Sequence, residues 1–497
     1  MVGPDTIGTL FLRIAKKHPD TVALIDGETK HTYRDLAGLS SAYTRLFSHR
    51  LDLVPGQILL AWLDNGPEFI ASFLSTAETG AILLPLNIHW RPPELRWVLD
   101  QLPVAGVVTK QSLRAVWDVL ADRISPDRVV TVDDPTVQEW LKKSRGITAA
   151  GKGPSLLPQN HLVFFTSSGS TGVPKIVPRT HENILENTID KAAALGITPG
   201  LRFLSIVPFY HGNGLDNSLA LPLLYGATAI LQSGFMPSRF VEAMTRNRIE
   251  VLIGSPAIFE LLLRFKLDPD CLSSLRICAS SGGPIAAENM QAIRRRFGVI
   301  IRQVYGSSET GVIAIDPPEG GPPAVPLQKA DLAIIDSSGK TLPPGQEGEI
   351  AVRGPTVIKG YIGGSNDESA AFRNGYYCTG DRGCLDSTGK LTLLGRIRPI
   401  INLSGTKVDP VEVENVLRAL PEVSACRVFS IQGPHHNEII KAVIALHEGA
   451  ELHRTDVISH CRKSLTEYKI PRVIEFVSSM PSDLSGKHPV SFGGMSD

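Results

Sequence analysis

The chain has 497 residues with 50 basic and 50 acidic side chains, a formal net charge of zero, so it has no bulk positive charge for binding nucleic acid or a membrane surface. No apolar run reaches the ~18 residues of a membrane span, and the N-terminus lacks the basic segment and long apolar core of a secretory signal. Six scattered cysteines, none in a CxxC, indicate reduced thiols in a cytoplasmic protein and exclude a disulfide frame or zinc site as the reading.

The length predicts about three core-forming units. Residues 7–17 carry apolar side chains at helical spacing, VALIDG reads as a strand and turn, and Thr32 is placed to cap the helix that follows. QILLAWL, AILLPL and AGVVT read as strands, alternating with helices over PEFIASFLSTAETG and PPELRWVLDQL. Near-continuous apolar strands between helices are the pattern of a parallel sheet covered on both faces. Residues 145–160 are turn-rich and read as a connector. The alternation resumes after it, through RFLSIVP, a polar bend at FYHGNG, a helix over LDNSLALPLLYG, and three further strand–helix repeats to VIIRQVYGSSE. The first ~315 residues therefore predict two related sheets. From about 327, short β-like runs (DLAIID, GEIAVRG, LTLLG) predict a β-rich lobe. A boundary near 397 separates residues 1–397 from an α+β unit, 398–497. The expected fold class is α/β: a large N-terminal domain of two αβ-layered sheets with a small β lobe, then a small α+β C-terminal domain.

Four stretches carry chemistry. In HLVFFTSSGSTGVPK, an apolar strand runs into Thr166, Ser167, Ser168, Gly169, Ser170, Thr171 and Gly172, then Pro174 and Lys175. Glycines let backbone N–H groups turn toward an anion, hydroxyls donate to phosphate oxygens, and the lysine adds charge. A Ser/Gly linker is the bland alternative, but a linker needs neither the strand nor the Pro-Lys. In VYGSSETG, Tyr305, Gly306, Ser307 and Ser308 precede Glu309, a carboxylate suited to Mg²⁺ at a strand end; a plain polar turn is the alternative. In YYCTGDRG and LGRIR, Asp381 can accept two hydrogen bonds from a ribose and Arg396 can clamp it, against a β-turn aspartate and a surface arginine. Lys487 sits in a Ser-Gly-Lys loop near the end of the chain, where lysines are mostly solvated. His435 and His436 read as solvated turn residues. No full GxxxxGK[ST] phosphate loop and no GxGxxG after a strand is present.

In this order the motifs resemble the AMP-forming adenylating superfamily: acyl- and aryl-CoA synthetases, peptide-synthetase adenylation domains and luciferase. The resemblance spans about Ile7 to Lys487. It implies that Thr166 to Lys175 embrace the β- and γ-phosphates of ATP. Gly282, Gly283, Pro284 and Tyr305 would flank the adenine, Ser308 touch the α-phosphate, Glu309 hold Mg²⁺, and Asp381 and Arg396 grip the ribose. Arg398 stands at the family hinge, and Lys487 matches the lysine that reaches into the site during adenylation. His211, Ser255, Ala257, Gly282 and Gly306 would line the acid pocket, with His211 between it and the acceptor channel. The implied partners are a small carboxylic acid and CoA or an amine, with no nucleic acid or membrane, in a monomer or homodimer.

CoA ligases of this family usually carry paired glycines before a lysine after the hinge. This chain reads INLSGTK, with Ser404 for the first glycine and Gly405 kept. A stand-alone amide synthetase, passing its acyl-adenylate to an amine, is therefore the alternative to a CoA ligase. A non-catalytic nucleotide sensor is a remote third, since Lys487 and Glu309 are both present.

Overall fold

The computed structural model describes residues 5–144, 155–167, 175–232, 234–363, 371–397, 401–403, 406–433, 438–447 and 449–477. They fall into two compact units, the first ending at Ile397 and the second following it.

Two sheets dominate the first unit, as the alternation of elements predicts. One has six strands in the spatial order Val129–Thr131, Val104–Thr109, Ile58–Trp62, Ile82–Pro85, His161–Ser167, Lys175–Thr180. All its neighbours are parallel except the last pair. The other has nine strands, in the order Val325–Pro326, Gly311–Ile315, Arg302–Ser307, Ile277–Ser281, Val251–Gly254, Arg202–Ser205, Thr228–Leu231, Val22–Asp26, Thr29–Thr32. Its six inner strands are parallel, and antiparallel strands close both edges.

The helices Ile7–Lys17, Tyr33–Leu51, Pro67–Thr79 and His181–Leu195 share one apolar core with strands of both sheets. Nine consecutive residues of Pro67–Thr79, from Phe69 to Ala77, are buried, as a helix between two sheets requires. Pro92–Gln101 and Arg114–Val119 cover the outer face of the six-stranded sheet. Pro237–Arg246, Pro256–Arg264 and Ala287–Phe297 cover that of the nine-stranded one. Thr32 and Thr180 each start a helix through a reciprocal side-chain cap, with Asp35 and Asn183 respectively, satisfying N–H groups the first turn cannot pair.

Beyond residue 327 a five-stranded antiparallel sheet forms from Asp331–Ile335, Glu347–Arg353, Phe372–Arg373, Tyr376–Leu385 and Leu391–Arg396. The turn alternative for Asp381 is overturned: it lies within the ten-residue strand Tyr376–Leu385. The helix expected over LDNSLALPLLYG also departs from expectation. Gly214–Ala220 is π-helical and only Leu221–Leu224 continues as α-helix. Pro222 would clash with the Ser218 carbonyl in a regular α-helix. The wider turn frees that carbonyl, which accepts the Ser205 hydroxyl at 2.7 Å.

The second unit pairs Ile401–Leu403 with Thr406–Val408, then adds the helix Pro410–Arg418, a three-stranded sheet (Val423–Gln432, Glu438–Leu446, Val473–Val477) and the helix Arg454–Ser464. Its own apolar core includes Val413, Leu417, Ile444 and Val457. No helix among the described residues is long and apolar enough to cross a membrane.

Candidate functional site

The Ser/Gly loop connects two paired strands. His161–Ser167 and Lys175–Thr180 run antiparallel, with Thr166 opposite Ile176 and Ser167 opposite Lys175. Leu162 to Phe165 are buried, so the strand is anchored while Thr166 and Ser167 remain half-buried at its end. Lys175 Nζ lies 4.9 Å from the centre of the Tyr361 ring, an attraction between cation and ring face. Ser168, Gly169, Ser170, Thr171 and Gly172 lie outside the described residues, as do Arg398, Ser404, Gly405, His435, His436 and Lys487.

Tyr305, Asp381 and Arg396 are brought together from three strands. The Tyr305 hydroxyl donates to Asp381 Oδ2 at 2.7 Å, and Arg396 Nε lies 2.8 Å from Asp381 Oδ1. Asp381 and Arg396 are direct cross-strand partners, which explains why residues fifteen positions apart in sequence act as a pair. Burial, and then the adjacent Asp381 carboxylate, push the Tyr305 phenol well above its usual pKa. The hydroxyl therefore stays protonated as a donor.

Glu309 stands in the tight connection between Arg302–Ser307 and Gly311–Ile315. Ser307 N–H donates to Thr310 Oγ1 at 3.1 Å, and the Thr310 hydroxyl donates to the Gly311 carbonyl at 2.7 Å. A side chain at Gly306 would collide with the Gly311 backbone, so the chain can fold back here only with glycine. Glu309 is only 8% exposed; its Oε1 accepts the Tyr361 hydroxyl at 3.3 Å. Lys175, Tyr361 and Glu309 thereby form a continuous polar line from the end of the Ser/Gly loop to the candidate metal carboxylate.

The acid-pocket candidates lie on neighbouring strand ends. Gly282 follows Ile277–Ser281 at a φ of +92°, with Asn213 Nδ2 3.6 Å from where a β-carbon would stand. Gly283 is half-buried and Pro284 exposed in the same turn. A β-carbon at Gly212 would lie 3.5 Å from Ser308 Oγ and 3.8 Å from the Phe165 ring, so the segment after His211 borders the turn that carries Ser308 and Glu309. Ser255 is the N-cap residue of Pro256–Arg264, and Ala257 lies in that helix's first turn. Burial pulls His211 down to about 4, leaving the imidazole neutral near pH 7.

Sequence reasoning missed Tyr361 and Arg179. Tyr361 carries no local signal. Arg179 offers one, a charge directly after the apolar run Ile176-Val177-Pro178 of the strand KIVPRT.

Comparison with known proteins extends these observations. The profile of the AMP-binding enzyme family matches residues 11–362, and that of the AMP-binding enzyme C-terminal domain matches residues 412–487. A feruloyl-CoA synthase from Amycolatopsis is 28% identical over 500 residues, covering 97% of each chain. An o-succinylbenzoate CoA synthetase from Bacillus subtilis, a double mutant bound to a product analogue, has a TM-score of 0.84 at 25% identity over 95% of both chains. An amide bond synthetase from Marinactinospora thermotolerans has a TM-score of 0.83 at 25% identity over 96% of both. The phosphate-type loop and the turn at Glu309 thus sit within a family match spanning most of the chain, and the chain belongs to the AMP-binding enzyme family.

Proposed function

We propose that the protein is an AMP-forming carboxylic acid ligase: it activates a small acid as an acyl-adenylate, releases pyrophosphate, and transfers the acyl group to CoA. The observation that carries this reading is the convergence of the Tyr305–Asp381–Arg396 cluster with the Lys175–Tyr361–Glu309 line. The first offers oriented partners for ribose hydroxyls, the second a cation and a carboxylate for a polyphosphate and its metal. Thr166 to Lys175 would hold the β- and γ-phosphates, Ser308 the α-phosphate, and Gly282, Gly283, Pro284 and Tyr305 the adenine. His211, Ser255, Ala257, Gly282 and Gly306 would border the acid. A neutral His211 can lie beside a carboxylate without pairing with it and holding it back.

The residues present fit Mg²⁺. Among the described residues no group of three His, Cys, Asp or Glu could cage a metal, and one nearly buried carboxylate suits an ion that keeps water and phosphate ligands. When bound, Mg²⁺ supplies charge neutralisation at the phosphates. Lys487 would place a cation between acyl and phosphoryl oxygens, where repulsion between carboxylate and α-phosphate would otherwise raise the barrier. Lys487→Ala should retain ATP binding and lose about 100- to 1,000-fold in acid-dependent ATP–pyrophosphate exchange; near-normal exchange would sink this role.

The feruloyl-CoA synthase relative supports an aromatic acid and a CoA acceptor. Ser404 and the likeness to an amide bond synthetase favour, as the second reading, direct transfer to an amine. Pyrophosphate release across a panel of acids, with CoA or a simple amine and products identified by mass, tests both. An aryl-CoA thioester supports the main reading. Hydroxamate formed with hydroxylamine, and no thioester with CoA, would replace it with the amide reading. The reaction is assigned to the cytoplasm and to a monomer or homodimer.

A further inference from the structure

Behind the nucleotide turn lies a cluster of buried charge that the motifs do not account for. Arg179 is 0% exposed. Its Nη1 donates to the Ser308 carbonyl at 3.0 Å and its Nη2 to the Asn183 carbonyl at 3.3 Å. Asp216 Oδ2 stands 3.6 Å from Nη1. Asp216 belongs to the π-helical turn that follows His211 and Asn213, and Lys191 Nζ donates to its main-chain carbonyl at 3.1 Å. Burial lowers the Arg179 pKa, and attraction from Asp216 and then Glu309 opposes that fall. One guanidinium therefore contacts the turn proposed to hold the α-phosphate and the helix behind the acid pocket, and feels the Glu309 charge. Its own strand begins at Lys175, directly after the phosphate loop.

This arrangement is a costly way to fill a strand position. A buried ion pair loses several kcal/mol per ion in hydration, and apolar residues of similar volume often serve stability as well or better. Arg179 Nε and Asp216 Oδ1 are buried with no hydrogen-bond partner among the described residues, so the pair is incompletely satisfied. Packing alone does not call for it. What only a long, planar, permanently charged side chain can do here is hold two carbonyls in fixed directions while facing a carboxylate.

We infer that Arg179 is a positioning residue for adenylation: held by Asp216, it fixes the Ser308–Glu309 turn relative to the acid-pocket helix, so that acid and α-phosphate meet in register. The inference rests on the adenylation reading. A displacement of about 1 Å in such a turn can cost about 100-fold in rate, while residues that bind ATP elsewhere remain untouched.

The test uses the full-length enzyme with Arg179→Met, Arg179→Lys, Asp216→Asn and the double variant Arg179→Met/Asp216→Leu. Each is measured for acid-dependent ATP–pyrophosphate exchange, for binding of a fluorescent ATP analogue, and for thermal unfolding. Expected for Arg179→Met is a fall of about 100-fold in kcat with the analogue's Kd within about threefold of wild type. Arg179→Lys, which keeps the charge and loses the second carbonyl contact, should recover part of kcat. Asp216→Asn should raise the KM for acid more than that for ATP. The double variant removes the mismatched charge and should regain thermal stability while kcat stays low. A merely structural role predicts the opposite for the double variant, with kcat restored alongside stability, and that result overturns the inference. So does a kcat within threefold of wild type in folded Arg179→Met. If wild-type protein shows no exchange with any acid, the adenylation reading falls and the inference with it; exchange in wild type with unaffected Arg179 variants removes the inference alone.

Discussion

Asp381 shows how one carboxylate can be prepared from two sides before any ligand arrives. Arg396 and the Tyr305 hydroxyl occupy one oxygen each, and each carboxylate oxygen can accept a further bond. Asp381→Asn keeps the shape but weakens the hold on Arg396 and replaces one acceptor with a donor. Its KM for ATP should rise about tenfold or more, since hydrogen bonds to charged groups contribute about 1.5–3 kcal/mol, with a smaller change in kcat. Unchanged steady-state constants would remove Asp381 from the ribose site. His211 makes a prediction of opposite kind. With its pKa depressed to about 4, it is neutral above that value and gains charge only below it. Its titration therefore contributes no step to kcat/KM between pH 5.5 and 8.5. If His211→Phe abolished an ionisation near pH 6.5 in that profile, the neutral assignment would be wrong.

Elements carry their own signatures of strain and charge. Pro67–Thr79 packs against Tyr33–Leu51 with Glu78 turned inward, its Oε1 accepting the Ser40 hydroxyl at 2.8 Å. Burial pushes the Glu78 carboxyl up to about 7, and the Ser40 bond only partly opposes that. A carboxyl whose pKa is raised on folding weakens the fold as pH climbs, because the unfolded chain releases its proton first. The loss begins near the unfolded value of about 4.5, grows to pH 7 and is complete above it. At about 1.4 kcal/mol per pKa unit, Glu78→Gln should stabilise the enzyme by up to about 3 kcal/mol at pH 8 and by little at pH 4.5. Urea unfolding at the two pH values measures this; equal gains at both would contradict the linkage. The π-turn offers a second case. A β-carbon at Gly214 would run into the Pro208 carbonyl, and backbone cannot step aside as a side-chain end can. Gly214→Ala should cost about 4 kcal/mol or more, seen as lost soluble yield or a collapsed melting temperature.

At the scale of the whole molecule, each of the two units has a separate apolar core. Every described candidate for nucleotide contact, from Thr166 to Arg396, lies in the first. Unfolding of multi-domain chains commonly departs from a single cooperative step, and a ligand stabilises the unit that binds it. Calorimetry should resolve two transitions. AMP at about 100 times its Kd should stabilise the larger one by about 2.7 kcal/mol and the smaller one less. Equal displacement of both would show that the nucleotide site draws on both units alike.

Much of this was legible in the residues themselves. Apolar runs at β length, alternating with amphipathic segments, determined the two layered sheets and the β lobe, because periodicity reports which face must leave water. The identity and order of TSSGSTGVPK, YGSSETG and TGDRG…GRIR pointed to the AMP-binding enzyme family, to which the chain belongs, because hydroxyls, glycines and charges in that order suit few other ligands than a nucleotide. Three things waited for the tertiary structure. Asp381 reads locally as a turn residue, and only its long-range pairing with Leu391–Arg396 makes it part of a strand and of an ion pair. The helix after His211 reads as regular until Pro222 sets aside the Ser218 carbonyl, which accepts the Ser205 hydroxyl instead. Arg179 reads as one charge in a short strand; only when 0% of it is exposed, with the Ser308 carbonyl and the Asp216 carboxylate both facing its Nη1, does its cost become visible. Composition and spacing set what each residue can do, whereas desolvation and register depend on neighbours far away in the chain.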